Sequence, residues 1–162
     1  MSPLKRFDLV LRALAEPVAA SIQCVIAGEG AEQQKLQALA GHLGIEHRVR
    51  FVGRLTDQEM LDAKAKIAAG GFGCEPASAA SVAGARLLCD QGIIGPDERV
   101  VCILTGHQLK DPTATVAYHT TDQEQFNKVL GSRGVRRASF ANRAVAVPND
   151  LGEIVKAIQL YS

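Results

Sequence analysis

The sequence has almost no net charge and no long hydrophobic run. Its 162 residues include 18 Lys or Arg and 17 Asp or Glu, which gives a formal net charge of +1. This balance produces no field that would attract nucleic acid or an acidic membrane surface. No apolar run approaches the ~20 residues needed to cross a bilayer, and Met1 is followed by an amphipathic segment instead of a signal-peptide hydrophobic region. We therefore expect neither a nucleic-acid partner nor a membrane partner.

The sequence also lacks the cysteine and histidine spacings that are typical of metal sites. It contains no CxxC motif and no Cys/His pattern. The four cysteines are Cys24, Cys74, Cys89 and Cys102, and the histidines are His42, His47, His107 and His119. Two of the cysteines, Cys24 and Cys102, lie in apolar strand-like runs, where a free thiol behaves as a small hydrophobe. We predict reduced cysteines, no metal and a cytoplasmic protein.

The composition is that of an ordinary globular domain. Hydrophobic residues make up 47% of the chain and charged residues 22%, which at this length predicts one domain with a real core. The one local excess of charge is basic: Arg133, Arg136, Arg137 and Arg143. We interpret this cluster as a solvated loop and keep an anion site as the alternative.

The first third of the chain alternates helical and strand patterns. Apolar residues at helical spacing from Phe7 stop at Pro17, which can donate no backbone hydrogen bond. The runs Ile22–Ala27 and Val49–Gly53 have the length and composition of buried parallel strands. The first run is followed by Gly28 and Gly30, which predict a turn that glycine tolerates easily. Thr56 and Glu59 form a capping box that opens a helix. The predicted helices here are Leu4–Glu16, one bearing Leu36, Leu39 and Leu43, and one from Thr56 to about Ala69.

The remaining elements complete an α/β pattern. Strands are predicted at Val100–Leu104 and Ala144–Val147. The predicted helices are one whose first turn holds Pro76, one around Asp122–Leu130 and one over Leu151–Leu160. Otherwise the segment from Asp111 to Asn142 is predicted to be irregular. Alternating strands and helices imply right-handed βαβ units, so we predict a three-layer sandwich with a mostly parallel, Rossmann-like sheet.

Three segments of the first third resemble one enzyme family. They are a lysine-led helix over Leu4–Leu14, the IAGEG sequence that ends at Gly30, and the VRFVGR sequence that begins at Val49. In this order they resemble the C-terminal half of a GT-B glycosyltransferase. The resemblance implies that Lys5, Gly28 and Gly30 correspond to the region that contacts the donor diphosphate.

Two later segments resemble a different enzyme. The run Gly73–Ser81 (GCEPASAAS) and the run Cys102–Pro112 (CILTGHQLKDP) look like the C-terminal part of threonine synthase, a pyridoxal-phosphate enzyme. The resemblance implies that the Thr105 hydroxyl matches the group that contacts the pyridine nitrogen of the cofactor. It extends from about Thr56 to Ser162.

The two resemblances meet near Thr56, where Leu55–Leu61 fits both families. We therefore interpret residues 1–162 as a single chimeric α/β domain, with a glycosyltransferase-like segment at 1–55 and a threonine-synthase-like segment at 56–162. A recombinant or designed origin is the hypothesis that follows from this join.

The sequence predicts no catalytic residue. No segment matches the lysine motif that forms the Schiff base, without which pyridoxal phosphate loses its covalent anchor and its base. Exposed lysines such as Lys64, Lys66 and Lys110 would form only adventitious imines, because an ordinary amine near pKa ~10.4 is protonated at neutral pH. A sugar transferase needs donor and acceptor held across a cleft, and the acceptor-binding part has no counterpart here.

The favoured hypothesis is therefore a chimeric domain without evolved catalytic function and without a required cofactor. Residual binding of phosphate, nucleotide or pyridoxal phosphate without turnover is the first alternative, and a truncated threonine-synthase-like lyase is the second. Phosphate would bind at a helix N-terminus. An imperfectly covered sheet edge would drive association into a homodimer.

Overall fold

The computed structural model describes residues 5–143 and 145–161. The strands are β1 (Cys24–Ile26) and β2 (Val49–Phe51). The helices are α1 (Phe7–Leu14), α2 (Gln33–His42), α3 (Asp57–Ala69), α4 (Ala80–Asp90), α5 (Pro112–His119), α6 (Gln123–Leu130) and α7 (Leu151–Tyr161). Short 3-10 turns occur at Pro17–Ala19, Glu46–Arg48 and Gly131–Arg133.

The strands β1 and β2 form a parallel pair connected through α2. Their register places Cys24 beside Val49 and Ile26 beside Phe51. Beyond the strands the pairing continues, because the Gly28 N–H donates to the Gly53 carbonyl at 2.6 Å. Parallel pairing through a helix is the predicted βαβ unit, so the α/β class is confirmed.

The local signals of the first third operate as predicted. Gly28 and Gly30 have φ of 123° and 149°, a region that side-chain-bearing residues rarely adopt. The capping box is formed, since the Thr56 N–H donates to the Glu59 carboxylate at 2.7 Å and the Glu59 N–H donates to the Thr56 hydroxyl at 3.2 Å. Helix α3 then ends at Ala69, as the sequence predicted. The predicted start of the first helix, Leu4, lies outside the described residues.

The buried side chains fall into three hydrophobic clusters. The N-terminal cluster consists of Leu11, Leu14, Ile26, Leu36, Ala40 and Ile45. The middle cluster consists of Leu55, Ala63, Cys74, Ala79 and Ala83. The C-terminal cluster consists of Leu61, Ala65, Ala114, Ala117, Tyr118, Phe126, Leu130 and Val135. Helix α3 contributes to the last two clusters and so connects them.

Two strand predictions are wrong within the described residues. Val100–Leu104 forms no strand, and neither do residues 145–147, while Ala144 lies outside the described residues. The reason is that a β-branched run becomes a strand only when another strand pairs with its backbone. In the described residues β1 and β2 pair with each other, and neither pairs with these two runs. The described residues therefore contain one two-stranded parallel sheet, which agrees with the α/β class.

Two helix predictions in the second half also need correction. The helix expected at Pro76 begins four residues later, at Ala80, after a turn. The segment expected to be irregular from Asp111 contains α5, whose first residue is Pro112. Proline at the first helical position, followed by residues that bury Ala114 and Ala117, is the signal that was missed. The helices α6 and α7 are confirmed.

Candidate functional site

The Thr105 hydroxyl lies where the two threonine-synthase-like segments meet. The Ser78 hydroxyl is 3.4 Å from the Thr105 hydroxyl and accepts a hydrogen bond from the Gly106 N–H at 2.8 Å. The Glu75 N–H donates to the Gly106 carbonyl at 3.0 Å. Ser78 is 6% exposed. These bonds hold the loop after residue 104 against the turn that precedes α4.

The side chains of Glu75 and Gln108 lie close to the backbone of two glycines beside this loop. Lys110 forms an ion pair with Glu75 at 3.2 Å, and the Glu75 side chain is only 12% exposed. A Cβ atom at Gly106 would overlap the Glu75 carboxylate, and one at Gly73 would overlap Gln108. A side chain at either glycine would therefore have to displace the neighbouring Glu75 or Gln108 side chain. Lys110 has a carboxylate partner.

The residues predicted to face a donor diphosphate are Lys5, Gly28 and Gly30. Gly28 and Gly30 lie in the turn after β1, and Lys5 is exposed. Next to this turn, an open cavity of about 520 Å³ is lined by Gly30, Ala31, Gln33, Gln34 and Gln37. Glu32 lies just before α2 and pairs with Lys35 at 2.8 Å. The site thus combines a helix N-terminus with an acidic side chain that opposes an anion.

Helix α4 lies against both regions without joining them into one site. The Ser81 hydroxyl donates to the Ile103 carbonyl at 3.2 Å. One turn further along, a Cβ atom at Gly84 would lie 3.6 Å from the Cβ atom of Ala27. No hydrogen bond within the described residues connects Thr105 to Lys5, Gly28 or Gly30.

The basic cluster is partly docked and not simply solvated. Arg133 forms an ion pair with Asp57. The Gln58 amide oxygen accepts from the backbone N–H groups of Arg136 and Arg137 at 3.0 and 3.3 Å, and its nitrogen donates to the Arg137 carbonyl at 2.8 Å. A polar side chain inside a capping box gave no sequence signal for this contact. It seats the loop on the N-terminal turn of α3.

A groove of about 380 Å³ lies between α3, α4 and the segment that follows this loop. It is lined by Glu59, Asp62, Ala63, Lys66, Ala83, Arg86, Leu87, Asp90, Arg137, Ser139 and Phe140. The Lys66 ammonium lies 4.2 Å from the centre of the Phe140 ring, a cation–π contact. The Arg86 guanidinium pairs with Asp90 at 3.7 Å. The Lys66 side chain is exposed, as the sequence predicted.

A buried polar network borders the C-terminal cluster. The Tyr118 hydroxyl donates to Asp62 and accepts from the Phe140 N–H at 3.3 Å. Burial and the Asp62 carboxylate raise the pKa of Tyr118, so the phenol is a poor proton donor to substrate. His119 Nδ1 accepts from the Asn142 N–H at 2.8 Å. Burial, followed by the positive charges of Lys64 and Arg143, lowers the pKa of His119.

Lys64 differs from the sequence expectation, because it is 5% exposed. On α3 it lies between the Ala63 face, which belongs to the middle cluster, and the Leu61 face, which belongs to the C-terminal cluster. Its charge acts on His119 and on Cys74. The expectation of an exposed Lys64 was wrong, since helical spacing alone does not show that α3 buries two faces.

All four cysteines are free thiols, and three of them have little nucleophilic character. Burial raises the pKa of Cys24, Cys74 and Cys102, and the thiolate is the reactive form. Among residues 5–143 and 145–161, no group of three or more His, Cys, Asp or Glu side chains could hold a metal ion. In the same part of the chain, every helix is too short or too polar to span a bilayer.

Comparison with known proteins finds both predicted families. Residues 1–70 match the family model described as glycosyl transferases group 1. The threonine synthase of Methanosarcina acetivorans is 59% identical over 63 residues, which cover 38% of this chain and 16% of that protein. The threonine synthase of Methanocaldococcus jannaschii is 51% identical over 67 residues, which cover 41% and 16% respectively. The threonine synthase of Synechocystis is 51% identical over 63 residues, which cover 38% of this chain and 16% of that protein.

The recognition of two family segments in one chain is thereby confirmed. The family model extends through α3, beyond the expected join at Thr56. The chain spans only about 16% of the length of these threonine synthases.

Proposed function

We propose that this chain is a chimeric α/β domain without catalytic turnover, formed by a recombinant or designed join near Thr56. The observation that carries the proposal is the network of Ser78, Thr105 and Gly106. The hydroxyl that would contact a cofactor ring lies beside a nearly buried serine, and the loop that bears it is held to the turn before α4. In this chain, the motif residues serve to hold two segments of the fold together.

Thr105 is itself exposed, but its surroundings support the same conclusion. Glu75 lies within overlap distance of any side chain at Gly106 and is held by Lys110. Neither the groove beside α3 nor the cavity beside α2 is lined by Thr105. A ring-sized cofactor beside Gly106 would have to displace the Glu75 carboxylate, which is 12% exposed and pairs with Lys110. This displacement costs free energy unless both charges find new partners.

The alternative is weak binding of phosphate or nucleotide at the start of α2, and the open cavity beside Gly30 favours it. Backbone N–H groups at a helix N-terminus attract anions. Glu32 works against this attraction, because its carboxylate lies at the same end of the helix. A truncated threonine-synthase-like lyase is a further alternative, supported by the matched segments alone.

We also propose a fold and a cellular location for the protein. The first is a three-layer, Rossmann-like sandwich, supported by the parallel β1–α2–β2 unit. The second is a cytoplasmic location, supported by free cysteines.

Thermal unfolding with added ligands tests the proposal. We expect one transition that does not move with pyridoxal phosphate, nucleoside diphosphates or sugar nucleotides, because a ligand bound only by the folded state would stabilise it by about 2.7 kcal/mol at 100 times its Kd. A saturable increase in Tm with pyridoxal phosphate that Thr105→Val abolishes would contradict it. Thr113→Val, at an exposed position of α5, is the matched control.

The same titration addresses the alternative. An increase in Tm with nucleoside diphosphate that survives Thr105→Val, and that grows in Glu32→Gln, would locate binding at α2. Turnover of any threonine synthase or sugar-transfer substrate would overturn the proposal outright.

A further inference from the structure

Val100–Leu104 is an exposed apolar segment. Val101 is 85% exposed and Ile103 is 65% exposed, while Val100 and Leu104 are exposed to smaller extents. The run contains no charged residue and no proline, the two residue types by which sheet edges normally resist pairing. Its composition is that of a buried strand, and yet it lies at the surface.

The backbone of this segment is also almost unpaired. Within the described residues, its one recorded hydrogen bond to a backbone group is that from the Ser81 hydroxyl to the Ile103 carbonyl. In a strand, successive residues direct their backbone groups to opposite edges. Ser81 therefore occupies the edge shared by Val101 and Ile103, and the edge of Val100, Cys102 and Leu104 has no partner among the described residues.

We propose that this segment pairs with the same segment of a second copy, as an antiparallel two-stranded junction centred on Cys102. Cys102 is the middle residue of the run. A two-fold axis at Cys102 therefore pairs each of the five apolar residues of one copy with an apolar residue of the other. Two-fold dimers of this kind use one surface twice. In this register Val101 of one copy lies opposite Ile103 of the other.

The charged residues beside the run favour this orientation over a parallel one. Asp97, Glu98 and Arg99 precede the run, and His107 and Lys110 follow it. The antiparallel register places Asp97 opposite His107 and Arg99 opposite Thr105, whereas parallel pairing in register would place Asp97 opposite Asp97 and Arg99 opposite Arg99. Like charges directly opposite each other destabilise a strand pair. The net charge of +1 adds little general repulsion between copies.

Sedimentation equilibrium over a range of protein concentrations tests the proposal, and the wild-type chain is expected to form dimers. Val101→Lys/Ile103→Lys places like charges opposite each other and is expected to weaken dimerisation at least about tenfold. Val101→Lys/Ile103→Glu places opposite charges together in both halves of the junction and is expected to restore it. Val18→Lys is the control, because Val18 is 92% exposed and lies elsewhere in the fold.

Hydrogen exchange gives an independent readout. We expect the amides of residues 100, 102 and 104 to become protected as protein concentration rises. A monomeric wild-type chain at all concentrations would overturn the proposal, as would a dimer that the Lys/Lys variant leaves intact. If the Lys/Glu variant is as monomeric as the Lys/Lys variant, the antiparallel register is wrong.

A second apolar surface provides the competing outcome. Leu151, Val155 and Ile158 lie on one face of α7 and are exposed. If Val155→Lys dissociates the dimer while the Lys/Lys variant does not, the copies associate through α7 and the proposal is wrong. Circular dichroism of each variant confirms that the fold is retained, which is expected because all the substituted side chains point into solvent.

Discussion

His119 connects the charge state of one residue to the stability of the protein. Burial, Lys64 and Arg143 lower its pKa in the folded state below the ordinary value of 6.5. The folded protein therefore binds fewer protons than the unfolded chain in this pH range, and stability rises with pH. We predict that the free energy of unfolding is highest above about pH 6.5 and declines as the pH falls through that value toward the folded-state pKa. Urea unfolding between pH 7 and pH 5 measures this slope.

Two variants separate His119 from the acidic groups that also titrate in this range. His119→Asn keeps an acceptor for the Asn142 N–H and removes the ionisation, so the slope should decrease. Lys64→Met removes a neighbouring positive charge and should raise the pKa of His119 measured by NMR. An unchanged slope in His119→Asn would show that other groups control the pH dependence.

Among the elements, α3 is the one whose start is most clearly specified by local chemistry. The Thr56 hydroxyl accepts from the Glu59 N–H, and Glu59 returns a bond to the Thr56 N–H. We predict that Thr56→Ala lowers the free energy of unfolding by about 1 kcal/mol. The Glu59 N–H would lose its acceptor, and the reciprocal pair of hydrogen bonds in the capping box would be broken. Denaturant unfolding measures the change.

Thr56→Ser is the matched control for this prediction, since it retains the hydroxyl. We expect its stability to be close to that of the wild type. Equal losses in the alanine and serine variants would mean that the threonine methyl group, and not the cap, carries the effect.

Elements with a local code could be predicted from the sequence, whereas elements that depend on a distant partner could not. The glycine turn at Gly28 and the capping box at Thr56 depend on neighbours within a few residues, and both are confirmed. Val100–Leu104 has equally clear strand composition, but no strand within the described residues pairs with it. Helix α5 was missed because the polar residues around it concealed its short buried face.

The candidate site likewise has parts that local sequence predicts and parts that depend on distant contacts. Thr105 and Gly30 could be named from motifs, but their surroundings could not. The pairing of Glu75 with Lys110 and the contact of Gln58 with the Arg137 backbone join residues that are far apart in sequence. Such contacts depend on how the helices pack, and periodicity carries no information about them.

At the scale of the whole molecule, the hydrophobic clusters meet at the end of β1. Ile26 belongs to the N-terminal cluster, while the next residue, Ala27, packs against the middle cluster. A Cβ atom on Gly84 of α4 would contact Ala27 and Leu55 at ordinary van der Waals distance. Because Ile26 and Ala27 are consecutive residues of the chain, unfolding of either cluster disturbs the other. The chain is therefore expected to unfold as one cooperative unit despite its two family resemblances.

Thiol labelling at increasing urea concentration tests this expectation in a Cys89→Ser/Cys102→Ser background. Cys24 reports on the N-terminal cluster and Cys74 on the middle cluster, and we predict that both become reactive at the same urea concentration. Gly84→Leu should force the two elements apart at a cost of about 1–3 kcal/mol and separate the two midpoints, whereas Gly84→Ala should keep them together because a Cβ atom fits. Separate midpoints in the background protein itself would mean that the two segments fold as independent units, since the contact between Ala27 and Gly84 would then be too weak to couple them.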